Sequence, residues 1–134
     1  MNAEAAVYLD SSALVKLVVL EPESNSLAAH LRQRRSRMSC ALARVEVVRA
    51  VRAHGRPAIN RAQALLARIS LLRLDDALLD EAATLDRGAT LRSLDAIHLA
   101  AARALGDGLA EVVTYDHRMA EAARQLGLQV VAPA

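Results

Sequence analysis

At 134 residues the chain suits one compact domain spanning 1–134 and is long enough to bury a core without disulfides or a structural metal. It is 54% hydrophobic yet holds two Tyr and no Phe or Trp, so the core must be aliphatic, and stacking of bases on an aromatic platform is excluded as a main binding mode. Net charge is +2; a single cysteine excludes an intrachain disulfide and a cysteine-based metal site; an N-terminus unlike a signal peptide and the lack of a membrane-length apolar run lead us to expect a cytoplasmic protein with no membrane partner.

In chain order, Val7-Tyr8-Leu9 is a short β-favouring run ending at Asp10, and Ser11 and Ser12 lead into a helical stretch from Ala13 to Val18. Pro22 marks a helix start or a turn, and Leu27, Ala28 and Leu31 give helical spacing across 23–35. Residues 38–41 hold either a short strand or a helix entry with Ser39 as N-cap. Helices are expected over 42–53, punctuated by Gly55 and Pro57, and over 58–70. A strand follows over 71–74, then a helix capped by Asp75 or Asp76 and running to Leu85, then a loop over 86–92. Ser93 is expected to cap a helix over 94–105 closed by Gly106 and Gly108, followed by a strand over 111–114 that leads into Tyr115-Asp116. A helix over 119–126 with Gly127 as C-cap and a last strand over 128–131 complete the chain. Short strands alternating with helices imply parallel pairing through right-handed crossovers, hence a three-layer α/β/α sandwich around a parallel sheet.

Charge is uneven. Between Arg32 and Arg61 lie nine arginines and one acid, Glu46, and the only lysine is Lys16. Arginine forks suit phosphate, although high Arg and Ala also fit a GC-rich coding sequence. Arg49, Arg52 and Arg56 continue the Glu46 face at i+3, i+6 and i+10, where they either guide an RNA backbone, contact a protein partner or form a solvated face.

Four acids stand where an α/β sheet builds sites. Ligands bind beyond the carboxyl ends of strands, and two expected strands lead into Asp10 and Asp116. If those strands are neighbours, both carboxylates meet at one edge. Asp95 lies in the first turn of its helix and Glu46 inside an apolar one. Each has a plainer reading: Asp116 as a helix cap, Asp95 as a partner of its helix dipole, Glu46 as a surface partner of Arg49 or Arg52. Asp10 is harder to explain away, because a carboxylate beside a buried strand is costly unless bonded or bound to a cation. Together, clustered carboxylates repel and call for a cation, and an all-oxygen donor set favours Mg²⁺ or Mn²⁺ over Zn²⁺. Such an ion suits phosphodiester hydrolysis. His98, three residues after Asp95, either approaches the site or, beside Ile97 and Leu99, is a core or interface histidine; Cys40 reads as a small buried residue.

Residues 7–17 (VYLDSSALVKL) with 21–24 (EPES), 44–50 (RVEVVRA), 93–102 (SLDAIHLAAA) and 113–119 (VTYDHRM) together resemble the VapC-type PIN domains of bacterial toxin–antitoxin pairs. Order and spacing agree from about residue 7 to 131. The resemblance implies a PIN-like fold, Mg²⁺-dependent endoribonuclease activity with Mn²⁺ as substitute, a homodimer, and inhibition by a cognate VapB-like antitoxin. Transfer or ribosomal RNA would be the substrate, since structured targets suit shape-based recognition. Carried over by position, the catalytic and metal-binding acids are Asp10, Glu46, Asp95 and Asp116, with Asp10 and Asp95 in most direct contact. Ser11, Ser12 and Thr114 would support them by hydrogen bonds. His117 stands where some family members carry a further acid, which leaves one or two metals open. A PIN-like RNA-binding or RNA-processing protein that is not a toxin is the alternative. A receiver domain and an Asp-nucleophile phosphatase are disfavoured, because Lys16 lies in the first helix and Asp10 lacks an acid two residues on.

Overall fold

The structure is a computed structural model and describes residues 4–85 and 91–134. Its strands are β1 (Ala6–Leu9), β2 (Arg37–Cys40), β3 (Ser70–Leu72), β4 (Leu109–Val113) and β5 (Val130–Val131). Its α-helices are α1 (Ser11–Lys16), α2 (Ser24–Leu31), α3 (Ala43–Val51), α4 (Arg56–Arg68), α5 (Asp76–Thr84), α6 (Ser93–Ala104) and α7 (His117–Gln125).

All four strand pairings are parallel, in the order β3-β2-β1-β4-β5. Side chains alternate across the sheet as strand geometry requires. Val7, Leu9 and Val113 face one layer, packed on Leu14, Leu27, Val47, Val51 and Leu66 from α1–α4. Tyr8, Cys40 and Val112 face the other, against Leu78, Leu99 and Met119 from α5–α7. The expected three-layer sandwich is therefore present. Each fully buried leucine contributes about 1.5–3 kcal/mol, so Leu14, Leu27 and Leu99, with no exposed surface, fix the helices that carry the site.

Several local expectations are refined. The helix expected over 42–53 stops at Val51 and tightens into a 3-10 turn over Arg52–His54. Gly55, with φ 92°, turns the chain, and Pro57 opens α4, where its missing N–H costs nothing. Arg56 thus starts a new helix and does not continue the face of Glu46. The helix expected over 23–35 ends at Leu31, where Arg34 and Arg37 donate to the carbonyls of His30 and Leu31 in place of further helical bonds. Residues 37–40 form a strand, and Ser39 is buried in it instead of capping a helix. Arg92 occupies the N-cap of α6, with Ser93 as the first helical residue. Asp75 is the cap of α5 and accepts from the Leu78 N–H. Gly127, at φ 80°, closes α7 with N–H bonds from Gly127 to Arg124 and from Leu128 to Ala123, the paired pattern of a Schellman cap. Residues 86–90 of the expected loop lie outside the described residues.

Candidate active site

The sheet order makes β1 and β4 neighbours, and the chain runs outward from them in opposite directions, to β2 and β3 on one side and to β5 on the other. That is a topological switch point, where carboxyl ends of strands leave a crevice. Leu9 is paired with Val113, so the residues just beyond, Asp10 and Thr114, lie side by side.

Asp10 is 4% exposed. Its Oδ1 accepts from Ser12 Oγ at 2.6 Å and from the Ala13 N–H at 3.0 Å, which caps α1. Its Oδ2 accepts from Thr114 Oγ1. Burial raises its pKa; the bonds from Ser12, Thr114 and Ala13 and the charge of His98 offset this only in part. Asp10 is therefore a buried carboxyl held by three hydrogen bonds, with burial disfavouring its charge.

Glu46 is half-buried on α3 and does not pair with Arg49 or Arg52. Its Oε1 accepts from Ser11 Oγ at 2.6 Å and lies 2.7 Å from His98 Nε2. Burial alone would raise its pKa, but His98 and Ser11 outweigh burial and lower it. His98 is 3% exposed, as a core histidine should be, yet it belongs to the site as well. Its Nδ1 lies 2.8 Å from the Tyr8 hydroxyl and 3.8 Å from Cys40 Sγ.

Asp95 is in the first turn of α6 and half-buried, with no hydrogen-bond partner among the described residues. Its pKa is raised by burial and then by the charge of Asp116; the charges of His98 and Arg92 oppose this in part, and that of Asp10 adds least. Asp116 is exposed and caps α7, its Oδ1 accepting from the Arg118 and Met119 N–H groups at 2.9 and 3.2 Å. Thr114 Oγ1 joins the acids, donating to Asp10 and accepting from the Asp116 N–H at 3.1 Å. Ser12 Oγ likewise accepts from the Tyr115 N–H at 3.0 Å, tying α1 to the end of β4.

Thr114 thus links Asp10 to Asp116, the charges of Asp116 and Asp10 act on Asp95, and His98, paired with Glu46, acts by its charge on Asp10 and Asp95. Arg49, Arg52 and Arg56 are exposed and form no ion pair among the described residues.

The residues present fit a hard divalent cation. The donors are carboxylate oxygens; burial has raised Asp10, and burial with the charges of Asp116 and Asp10 has raised Asp95, which an added positive charge would reverse. Among the described residues no three His, Cys, Asp or Glu side chains stand close enough to form a ready-made cage. Oxygen donors are those a hard ion such as Mg²⁺ takes, with one or two carboxylates and several waters, whereas a closed zinc site takes four Cys or His ligands.

Sequence alone leaves His98 between site, core and interface and gives no role to Tyr8. Their signals are present but ambiguous: His98 lies three residues after Asp95, and Tyr8 shares a strand with the approach to Asp10. Only the packing of α6 on the sheet, against β2 and β4, brings them together.

The PIN domain family model matches residues 7–125. A Mycobacterium tuberculosis protein named ribonuclease VapC46 is 52% identical over 129 residues, covering 96% of this chain and 98% of the relative. Two solved structures share the fold. The M. tuberculosis toxin VapC20, described as cleaving the sarcin–ricin loop, has a TM-score of 0.76 at 15% identity, covering 95% of this chain and 99% of its own. A toxin–antitoxin complex from Klebsiella pneumoniae has a TM-score of 0.73 at 18% identity, covering 96% of this chain and 98% of that one.

Proposed function

The chain belongs to the PIN-domain family, among the VapC ribonucleases, and from that premise we propose that it is the toxin of a toxin–antitoxin pair, cleaving structured RNA by Mg²⁺-dependent phosphodiester hydrolysis, with Mn²⁺ as substitute. The reading rests above all on the placing of Asp10 and Asp116, bridged by Thr114, beside Asp95 at the β1–β4 switch point, where burial raises the pKa of both Asp10 and Asp95.

A bound divalent cation would supply neutralisation of the scissile phosphate and activation of water at neutral pH. The chain's residues hold and orient. Asp95, uncommitted to any protein donor among the described residues, and Asp10, clamped by Ser12 and Thr114, are the acids for direct contact with the ion. Asp116 and Glu46 complete the acidic set. Exposed Arg49, Arg52 and Arg56 suit the RNA backbone or an antitoxin's acidic groups. With two tyrosines, one fully buried, the chain suits recognition by shape and phosphate, which favours folded targets such as transfer or ribosomal RNA. An antitoxin partner is supported by the VapC relatives and the toxin–antitoxin neighbour. Leu20, 79% exposed, and Val45, 57% exposed, are apolar surface for that partner or for a second copy in a homodimer.

The test is cleavage of structured RNA by Asp10→Asn and Asp95→Asn. Both substitutions preserve shape, so each variant should fold. Loss of a charge worth several kcal/mol to the transition state lowers the rate by about a hundredfold or more. EDTA should stop the wild-type reaction, and Mg²⁺ or Mn²⁺ should restore it. Full cleavage by either folded variant, or in EDTA, rejects the proposal.

A further inference from the structure

We propose that His98 is a positioning residue that clamps one carboxylate oxygen of Glu46, so that this side chain faces the active site through its other oxygen alone. A carboxylate oxygen offers two acceptor sites. At Glu46 both sites of Oε1 are taken, by Ser11 Oγ at 2.6 Å and His98 Nε2 at 2.7 Å. Among the described residues nothing donates to Oε2. Because an ionised carboxylate is acceptor-only, Nε2 carries the proton in this contact.

The ring is itself held. Its Nδ1 lies 2.8 Å from the Tyr8 hydroxyl, and the two rings meet edge to face, with centroids 5.9 Å apart. Tyr8 is fully buried in β1, two residues before Asp10. A chain of interactions therefore runs from the central strand through Tyr8 and His98 to Glu46. A histidine needed only to fill the core would satisfy its nitrogens there. This one spends Nε2 on a half-buried carboxylate from another helix, 52 positions away. Partners that orient a ligating side chain commonly matter to metal affinity by about 10–100-fold.

The inference rests on the reading of Glu46 as part of a metal site, and the experiment separates the two. Metal-free full-length protein is titrated with Mn²⁺ alone by calorimetry, with thermal unfolding followed in parallel. His98→Leu should weaken Mn²⁺ binding by about 10–100-fold. His98→Gln, whose amide can donate to Glu46, should recover most of the loss. Tyr8→Phe, which removes one hydroxyl, should weaken binding in the same direction but less. A purely structural histidine would lower the melting temperature without changing Mn²⁺ affinity and without rescue by Gln. Wild-type affinity in folded His98→Leu overturns the proposal; if that variant does not fold, wild-type affinity in Tyr8→Phe overturns it. Glu46→Gln is run alongside. If it loses affinity while the His98 and Tyr8 variants keep theirs, the clamp alone is wrong; if it too binds Mn²⁺ as the wild type does, Glu46 is not a ligand.

Discussion

Oε1 of Glu46 accepts from a serine and a histidine that lie 35 and 52 positions away in the chain. This pairing makes stability depend on pH in a defined way. Burial disfavours charge on His98, but its bonds and charge interactions with Cys40 and Glu46 overcome that and carry its pKa from 6.5 up to about 10. A raised folded-state pKa gives stability that is complete below the unfolded value and lost as pH climbs through the folded one. Glu46, lowered from 4.5, gives stability present above 4.5 and lost as pH falls through its lowered value. The pair therefore contributes most between 4.5 and 6.5. Measured by urea unfolding, the advantage of wild type over His98→Gln should shrink as pH rises from 6.5 towards about 10. An advantage that stays flat across that range would mean the ring is uncharged. The sequence indicated both residues, but offered Arg49 and Arg52 as partners for Glu46, because helical spacing is the only proximity it displays.

Helix α7 shows how one residue serves an element and the site together. Asp116 caps the helix by accepting from two backbone N–H groups, and its charge also reaches Asp95. The two roles separate by substitution. Asn caps about as well as Asp, whereas Ala in place of a capping residue costs about 0.5–2 kcal/mol. Asp116→Asn should thus keep its unfolding midpoint while losing cleavage, and Asp116→Ala should lose both. Equal activity in Asp116→Asn and wild type would reduce Asp116 to a cap. The cap was legible in the chain because capping is local. At α6 the same logic misled, since Arg92 with extended backbone takes the position expected of Ser93. A serine in front of an apolar run reads alike one residue inside or outside a helix.

Across the molecule, acids gather at one end of the sheet while Arg49, Arg52 and Arg56 stand exposed around the end of α3 and the start of α4. A net charge of +2 gives little long-range attraction to RNA, so binding must draw on local positive surface. Pairing of arginine with phosphate releases counterions and makes binding depend on salt. Replacing all three arginines with Gln should raise KM, leave the unfolding midpoint unchanged, and flatten the plot of log affinity against log salt by about one unit for each phosphate that is no longer neutralised. An unaltered slope would move the RNA path elsewhere.

Alternation of strands and helices, the ends of β1 and β4 beside Asp10 and Asp116, and the four acids with their oxygen-only chemistry were determined by the sequence itself, since each depends on neighbours along the chain. Tertiary structure alone decided that β1 lies beside β4, that Thr114 bridges Asp10 and Asp116, and that buried His98 holds Glu46. The reason is one of range. Periodicity and capping act over a few residues, whereas strand order and buried hydrogen bonds are chosen by how whole layers bury their apolar faces.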